Sequence, residues 1–332
     1  MVMVRASSLR EPCLACAGRD KQAARGSVSQ DKGLASGILN LDKPSGLTSH
    51  DVVDKIRRAS GLRRVGHAGT LDPAASGVLL VCLGEATRVS EYLMDGRKRY
   101  DAVVRLGVAT DTGDAEGRVV SSSAVANTDR DQVVAALRRF RGLVKQVPPM
   151  HSALKHQGKP LYSFARRGVA VERAPREVEI YELKLIEWTP SSVRLLVECS
   201  KGTYIRALAR DLGEELGTGA HLERLVRIGC GPYILGGSTS IAEAERSLST
   251  EDWREIVHPL DEALLCFEAF SVDEETEERI RQGQQVEGPP PLNGPLCRAY
   301  GPDGGVIGVL QYVEQKQLWQ PRKVFQSHGA TA

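Results

Sequence analysis

One short segment concentrates the residues of this chain that could do chemistry. Residues 66–74 read GHAGTLDPA and place a single carboxylate, Asp72, between a leucine and a proline. Pro73 fixes its own φ angle and biases Asp72 toward an extended conformation. Gly66 and Gly69 allow a tight turn that can approach a ligand closely. On these residues alone, an ordinary Asp–Pro turn competes with a catalytic carboxylate held out on a loop.

Two later segments carry side chains that a catalytic carboxylate would need. The segment KRYDA places Tyr100 on a predicted strand beside basic residues, where a tyrosine of the core is the alternative interpretation. Residues 200–213, SKGTYIRALARDLG, place Tyr204 and Arg206 on a predicted helix. A buried arginine needs an acid, so Arg206 is expected to have an acidic partner. Such a guanidinium would keep the carboxylate ionised in a desolvated pocket.

The composition is that of a soluble globular protein. The chain has 332 residues, of which 41% are hydrophobic and 26% charged, and its net charge is +2. This length suits one large and one small domain, and no apolar run is long enough to span a bilayer. The seven irregularly spaced cysteines do not resemble a disulfide framework. They predict a reducing, cytoplasmic location and no structural metal.

The net charge is too small to identify a nucleic-acid partner, but basic residues cluster around the Asp72 segment and downstream of it. Such clusters suit contacts to phosphates, and solvated helix faces are an equal alternative. The clustered residues are Arg57, Arg58, Arg63 and Arg64, then Arg97, Lys98 and Arg99, and then Arg138, Arg139, Arg141 and Lys145.

The hydrophobic pattern predicts strands and helices in irregular order, which favours an α+β fold with a mixed, largely antiparallel sheet and flanking helices over a doubly wound sheet. Predicted strands cover 38–41, 78–84, 100–106, 176–188 and 192–200. One predicted helix is capped by Thr48 or Ser49 and ends at Gly61, and others cover 86–95 and 129–141 and follow Gly202. Residues 107–118 are predicted as a turn region and 250–278 as acid-rich helix, and three short strands follow the GPPPLNGP break at 288–295.

Several long motifs, in this order, resemble the TruB family of tRNA pseudouridine synthases. They are NLDKPSGLTSHDVV (40–53), VGHAGTLDPAASGVLLVCLGEATR (65–88), KRYDAVVRLGVATDTGDAEG (98–117), QVPPMHSALKHQGKPLYSFARRGV (146–169), PREVEIYEL (175–183) and SKGTYIRALARDLGEELGTGAHLERLVRIGCGPY (200–233). The resemblance covers about residues 37–235, and a chance match over so many motifs is a poor explanation.

This resemblance implies a pseudouridine synthase catalytic domain at 37–265 and a small PUA-like RNA-binding β domain at 266–326. Residues 1–36 are expected to form a disordered extension, and 327–332 a tail. The implied activity is the isomerisation of uridine 55 in the tRNA T-loop to pseudouridine, without cofactor or metal. The implied partner is the T-arm of tRNA, bound by a monomer that needs no obligate protein partner and no membrane.

The resemblance also implies roles for individual residues. Asp72 corresponds to the nucleophilic aspartate, Tyr100 to the residue that stacks on the extruded uracil, Tyr204 to a proton-transfer candidate beside the ribose, and Arg206 to the partner of Asp72. The implied RNA-binding and substrate-binding residues are His67, which would fill the gap left by the target base, Gly69, Leu225, whose main chain would meet the uracil edge, and Lys43, with support of the loop as its expected role.

One residue departs from the family pattern, and some alternatives stay open. Position 68 is usually threonine in the family and is Ala68 here, which predicts an altered loop hydrogen bond without loss of a catalytic group. The residues do not decide whether Asp72 attacks the ribose, attacks the uracil or removes a ribose proton. A non-catalytic tRNA-binding or tRNA-folding protein on the same fold is the alternative function.

Overall fold

The computed structural model describes residues 36–125 and 128–326. These residues form two units, Ser36–His258 and a second unit that begins at Pro259. The expectations for residues 1–35 and 327–332 fall outside the described residues. Within the described part of the chain, no helix is long and apolar enough to cross a membrane.

The elements alternate irregularly between strands and helices. The strands are β1 (Gly37–Lys43), β2 (Val65–His67), β3 (Ser76–Leu83), β4 (Lys98–Leu106), β5 (Val108–Thr110), β6 (Val119–Ser122), β7 (Gly142–Gln146), β8 (Lys155–His156), β9 (Lys159–Pro160), β10 (Arg176–Thr189), β11 (Ser192–Cys199), β12 (Ala220–Cys230), β13 (Tyr233–Ile234), β14 (Thr239–Ser240), β15 (Val257–Pro259), β16 (Glu268–Ser271), β17 (Leu296–Tyr300), β18 (Val306–Val313) and β19 (Leu318–Val324). The helices are α1 (Ser49–Ser60), α2 (Ser90–Asp95), α3 (Arg130–Arg138), α4 (Leu161–Ala165), α5 (Ile205–Glu215), α6 (Ile241–Ser249) and α7 (Glu274–Arg281), with 3-10 turns at Gly84–Val89, Leu235–Gly237, Glu251–Glu255 and Leu260–Leu264.

A mixed sheet organises the first unit. Its strands are hydrogen-bonded in the order β14-β1-β3-β12-β4-β11-β10-β7, and β2 pairs with β3 at one side. The β1–β14 and β3–β12 pairs are parallel, while β1–β3, β12–β4, β4–β11, β11–β10 and β10–β7 are antiparallel. The predicted α+β fold with a mixed, largely antiparallel sheet is therefore confirmed.

Helix α1 begins and ends where its sequence signals predict. Thr48 is the N-cap: its side chain accepts a hydrogen bond from the N–H of Asp51, whose carboxylate accepts one from the N–H of Thr48. This reciprocal capping box satisfies two backbone donors at the helix start. Gly61 ends the helix with a φ of 68°, in the left-handed region that glycine adopts without a steric penalty.

The main core lies between one face of the sheet and the helices α3 and α5. Alternate residues of β4 point into it, as the period-two pattern predicts, because successive side chains of a strand face opposite sides. Leu208 and Leu212 of α5 and Val133 and Leu137 of α3 complete this cluster. Since α5 begins beside the sheet, this packing also fixes where its first residues lie.

The second unit contains a four-stranded sheet in the order β16-β17-β18-β19. Its core includes Ile280 of α7 and Trp319 of β19. The three predicted C-terminal strands are present, and the segment 288–295 contains no helix or strand. The likeness of this unit to a PUA domain stays a prediction.

Several local expectations are wrong. The helix expected over 86–95 is a 3-10 turn followed by the short α2, and the turn region 107–118 contains β5, which pairs with β6. The segment 250–278, expected to be helical, contains β16, which pairs in parallel with β17. Phe270 of β16 packs 6.1 Å from Trp319, centroid to centroid, so tertiary packing outweighs the acid-rich local composition there.

Two other side chains lie where the sequence did not place them. Lys98, counted among the basic residues suited to phosphates, is buried, and its Nζ donates to the carbonyls of Met94 and Gly96. The apolar surroundings of Cys82, Cys199, Cys230, Cys266 and Cys297 in the sequence predict small core residues, and this is wrong for Cys266, which is exposed, whereas the other four are buried.

Gly77 permits the parallel contact between β3 and β12. It pairs with Arg227 in the strand register and has a φ of 100°. A Cβ atom at this position would lie 2.3 Å from the carbonyl oxygen of Arg227. Because neither strand backbone can move without breaking its other pairings, this site requires a glycine.

We expect Gly77→Ala to destabilise the first unit more than Gly61→Ala does. Both changes force a left-handed alanine, at about 1–2 kcal/mol, but Gly61 has no atom within 4 Å of its Cβ position. The backbone clash at Gly77 adds about 1–3 kcal/mol. Urea unfolding of the two variants checks this, and equal losses of unfolding free energy would contradict the steric account.

Candidate active site

Lys43, the last residue of β1, forms hydrogen bonds to the backbone of the loop that carries Asp72. The Lys43 side chain is completely buried. Its Nζ donates to the carbonyls of Pro44 (2.8 Å), Leu47 (2.7 Å) and Pro73 (3.2 Å). Burial lowers the pKa of Lys43 to about 8. An ammonium with three donors thus ties the residue after Asp72 to the start of the segment that leads into α1.

The first residue of α1 and the segment before that helix supply further bonds to the same loop. The hydroxyl of Ser49 donates to the carbonyl of Leu71 (3.0 Å) and accepts from the N–H of Leu71 (2.9 Å). The N–H of Gly46 donates to the carbonyl of Pro73 over 2.9 Å. Both residues that flank Asp72 are therefore fixed through their backbones, and the carboxylate is left for other contacts.

The Asp72 carboxylate is paired with Arg206 of α5. Nε of Arg206 lies 2.9 Å from Oδ2 of Asp72, with the Asp72 side chain 36% exposed and the Arg206 side chain 5% exposed. The Nε–H does not align on the carboxylate well enough for a hydrogen bond, so the contact is an ion pair. The predicted pairing of these two residues is present.

Arg206 is itself held by residues of two other loops. Its Nη1 donates to the carbonyl of Thr112 (3.2 Å) and lies 3.5 Å from Oδ2 of Asp114, and its Nη2 donates to the carbonyl of His151 (2.8 Å). These contacts point the remaining edge of the guanidinium at Asp72. A buried guanidinium without such partners would pay a large desolvation cost.

Tyr100 lies in β4 within the main core, and β12 runs beside it. It pairs in register with Arg227 of β12. Tyr100 is buried, and burial raises the pKa of its hydroxyl to about 12. The hydroxyl is therefore neutral, and Tyr100 shares the main core with Leu71, the residue before Asp72.

Tyr204 occupies the N-cap position of α5 rather than the helix itself, with φ −100° and ψ 109°. Its backbone N–H donates to Oε1 of Gln146 over 2.9 Å. Tyr204 therefore lies just before α5, and Arg206 lies in the first turn of that helix. The prediction that places Tyr204 on the helix is therefore wrong, because Tyr204 has extended backbone and caps the helix.

The remaining predicted residues lie on β2, on its turn and on β12. His67 is half-buried, and its Nδ1 is buried without a hydrogen-bond partner among the described residues. Burial, and secondarily the charge of Arg227, lowers the pKa of His67, which favours the neutral imidazole. Gly69 has a φ of 98°, and Leu225 of β12 is in register with Ala102 of β4.

Ala68, the departure from the family motif, is completely buried. Its N–H donates to the carbonyl of Leu80 over 2.9 Å, so the backbone of the turn stays attached to β3. The family's threonine hydroxyl has no counterpart here.

Sequence reasoning missed four residues that shape the site: Ser49, Asp114, His151 and Arg227. Each lies inside a motif quoted above. The contacts of Ser49, His151 and Arg227 each involve a backbone group as donor or acceptor, which no residue pattern identifies. Asp114 had a usable signal, because a buried arginine with several donors favours more than one acidic partner.

Comparisons with known proteins agree with these motifs. The family model for the N-terminal domain of TruB family pseudouridylate synthases matches residues 57–205. The model for the C-terminal domain of tRNA pseudouridylate synthase B matches residues 206–265. These matches cover the Asp72 loop, Tyr100 and the whole of α5.

Similar relatives are named tRNA pseudouridine synthase B. The protein from Dechloromonas aromatica (strain RCB) is 46% identical over 288 residues, covering 87% of this chain and 95% of the relative. The protein from Yersinia pestis (strain Pestoides F) is 41% identical over 302 residues, covering 88% and 93%.

Solved structures share the fold at lower identity. An H/ACA RNP bound to a substrate RNA containing 2'-deoxyuridine has a TM-score of 0.66 at 23% identity, covering 87% of this chain and 85% of the other. A Cbf5-Nop10-Gar1 complex has a TM-score of 0.67 at 24% identity, with the same coverage. Because the family model matches residues 57–205 and a relative covered over 95% of its length is 46% identical, the chain belongs to the TruB family of pseudouridylate synthases.

Proposed function

We propose that this enzyme isomerises uridine 55 in the T-loop of tRNA to pseudouridine, with Asp72 acting on the target nucleotide. Membership of the family makes the chain a tRNA pseudouridine synthase. The observation that carries the assignment of Asp72 is its 2.9 Å ion pair with the buried Arg206. That pair leaves the carboxylate partly exposed on a loop whose backbone is bonded on both sides.

Uridine and pseudouridine contain the same atoms, so the reaction only rearranges bonds within the nucleotide. The bond between ribose C1′ and uracil N1 breaks, the uracil turns, and C1′ joins C5. N1 gains a proton and C5 loses one. A carboxylate can assist by attacking covalently, which divides one hard step into two easier ones, or by removing a ribose proton. Both routes use the ionised carboxylate, and Arg206 places a positive charge 2.9 Å from it.

A uridine inside a folded RNA loop hides its glycosidic bond. The enzyme must therefore extrude the nucleotide, at a cost of about a few kcal/mol of unstacking. Tyr100 is proposed to stack on the extruded base, which would return about 1–3 kcal/mol. Its pKa of about 12 keeps the phenol neutral, so the ring serves as a surface rather than as a base.

The other site residues are proposed to bind and orient the RNA. Tyr204, at the start of α5, is the proton-transfer candidate beside the ribose, and the main chain of Leu225 meets the uracil edge. His67, kept neutral by burial, fills the gap that the target base leaves. Gly69 lets the turn approach the RNA, and Lys43 supports the loop through its three carbonyl contacts.

The partner proposed for the site is the T-arm of tRNA, bound in the cytoplasm by a monomer without an obligate protein partner. The second unit, with its four-stranded sheet, is proposed as a PUA-like RNA-binding domain. A purely RNA-binding or RNA-folding role is disfavoured, because this chain keeps the carboxylate, its arginine partner and both tyrosines.

The direct test is incubation with unmodified tRNA, followed by mapping of pseudouridine at nucleotide resolution. We expect one product, at position 55, from the wild-type chain and none from Asp72→Asn, whose tRNA affinity should stay within a few-fold of wild type. The amide keeps the shape but lacks the charge and nucleophilicity. Normal product formation by Asp72→Asn would refute the assignment, and modification at another position would refute the T-loop substrate.

Replacing the Tyr100 ring should slow the reaction, whereas removing only its hydroxyl should not. For Tyr100→Leu we expect the single-turnover rate to fall roughly 10- to 100-fold, as the loss of stacking implies. Tyr100→Phe keeps the ring and should stay within a few-fold of wild type. Because the hydroxyl does not ionise near neutral pH, Tyr100→Phe should also keep the wild-type pH–rate profile. Equal losses in both variants would contradict stacking.

The second carboxylate beside Arg206 gives a matched pair of variants. Asp114→Asn keeps an oxygen for the loop but loses its charge, and we expect a roughly tenfold lower single-turnover rate, the size of one charge-assisted contact. Asp111→Asn is the control, because Asp111 lies in the same loop and pairs with Arg118, whose side chain is 93% exposed. A wild-type rate for Asp114→Asn, or equal effects of the two variants, would show that Asp114 does not position Arg206.

A further inference from the structure

Arg227 is a buried cation to which the proposed reaction assigns no role. It lies in β12, in register with Gly77 of β3 on one side and Tyr100 of β4 on the other. Only 2% of its surface is exposed, so it cannot bind the RNA directly. A buried guanidinium is costly unless its donors are satisfied, and its retention in the middle of the sheet therefore requires an explanation.

The side chain of Arg227 reaches under the turn that precedes Asp72. Nε donates to the carbonyl of Val78 (2.6 Å), Nη1 to that of Thr70 (3.3 Å) and Nη2 to that of Gly69 (3.2 Å). Among the described residues, these hydrogen bonds go to backbone carbonyls and not to a carboxylate. The guanidinium therefore joins the turn at 69–70 to the start of β3.

The turn needs such a clamp because its own conformation is open. Gly69 has a φ of 98°, and no atom lies within 4 Å of its Cβ position. Side-chain packing therefore does not hold that residue. Downstream of the carboxylate, Lys43 binds the carbonyl of Pro73. Two buried cations thus bind the backbone on either side of Asp72: Arg227 binds carbonyls three and two residues before it, and Lys43 binds one carbonyl directly after it.

The charge of Arg227 also reaches across the site. After burial itself, it is the next cause that lowers the pKa of Lys43 and of His67. The positive charge of Arg227 therefore acts on His67, which precedes the Asp72 turn, and on Lys43, which binds the residue after Asp72.

We propose that Arg227 is a positioning residue for the isomerisation: its guanidinium fixes the Gly69–Thr70 turn and so sets where Asp72 meets the target nucleotide. This inference rests on the proposed function of Asp72. A catalytic group displaced by about 1 Å can lose roughly 100-fold in rate while substrate binding persists. The clamp should therefore affect the chemical step much more than tRNA binding.

The test compares three variants of the full-length chain by thermal unfolding, tRNA affinity and single-turnover rate on unmodified tRNA. Arg227→Met keeps the length and loses the three bonds to carbonyls. Arg227→Lys keeps the charge but offers one nitrogen in place of the three that now contact separate carbonyls. Lys98→Met is the matched control, because Lys98 is also a buried cation whose Nζ binds backbone carbonyls, those of Met94 and Gly96 and not those of the Asp72 turn.

We expect Arg227→Met to bind tRNA within a few-fold of wild type and to react about 100-fold more slowly, with Arg227→Lys recovering part of the rate. Lys98→Met should lose thermal stability but keep its rate within a few-fold. The inference is overturned if folded Arg227→Met reacts at the wild-type rate, or if Lys98→Met loses as much rate as Arg227→Met.

Should Arg227→Met fail to fold, Arg227→Lys decides. A reduced rate with wild-type affinity supports the clamp, and a wild-type rate overturns it. The wild-type chain in the same assay reports on the proposed function separately, because its failure to modify uridine 55 would refute that function without reference to Arg227.

Discussion

The carboxylate of Asp72 lies 2.9 Å from a guanidinium that is almost completely removed from water, and that arrangement constrains segments from distant parts of the chain. The arginine comes from the first turn of α5, and its other donors need the loop at 112–114 and the carbonyl of His151. Helix α5 can present it there only because Leu208 and Leu212 pack against the sheet. Because the guanidinium is buried, the loss of any of its partners is expensive.

The site controls the position of its carboxylate mainly through backbone carbonyls. Lys43 and Arg227 are both buried cations, and both spend their donors on main-chain oxygens around the Asp72 turn. Ser49 adds bonds to both backbone groups of Leu71. Groups oriented in advance need not reorganise when charge develops in the reaction. The backbone around Asp72 is therefore fixed by hydrogen bonds, while the Asp72 carboxylate stays partly exposed.

Local sequence signals predicted the elements whose ends depend on nearby residues. The cap at Thr48 and the left-handed Gly61 define α1 because both act within one helical turn. The alternation in β4 identified a half-buried strand for the same reason. The expected helix over 250–278 is wrong because β16 is created by its pairing with β17 and by packing of Phe270 on Trp319, which a local pattern does not contain.

The candidate site divides in the same way. The motifs indicated Asp72, Tyr100 and Arg206, since their chemistry resides in side chains. The bonds that hold them could not be predicted, because they join side chains to carbonyls far away in sequence, as with Arg227 and the turn at 69–70. Carbonyls are present at every residue, so only the folded chain determines which of them a buried cation meets.

The central claim is that Asp72 and Tyr100 face a single extruded nucleotide of tRNA. The most direct measurement is the structure of the Asp72→Asn chain bound to unmodified tRNA. The expected result is that uridine 55 lies outside the T-loop stack. Its ribose should contact the substituted side chain at position 72, and its base should stack on the Tyr100 ring. A uridine 55 still stacked within the T-loop, or a different nucleotide at residue 72, would contradict the account.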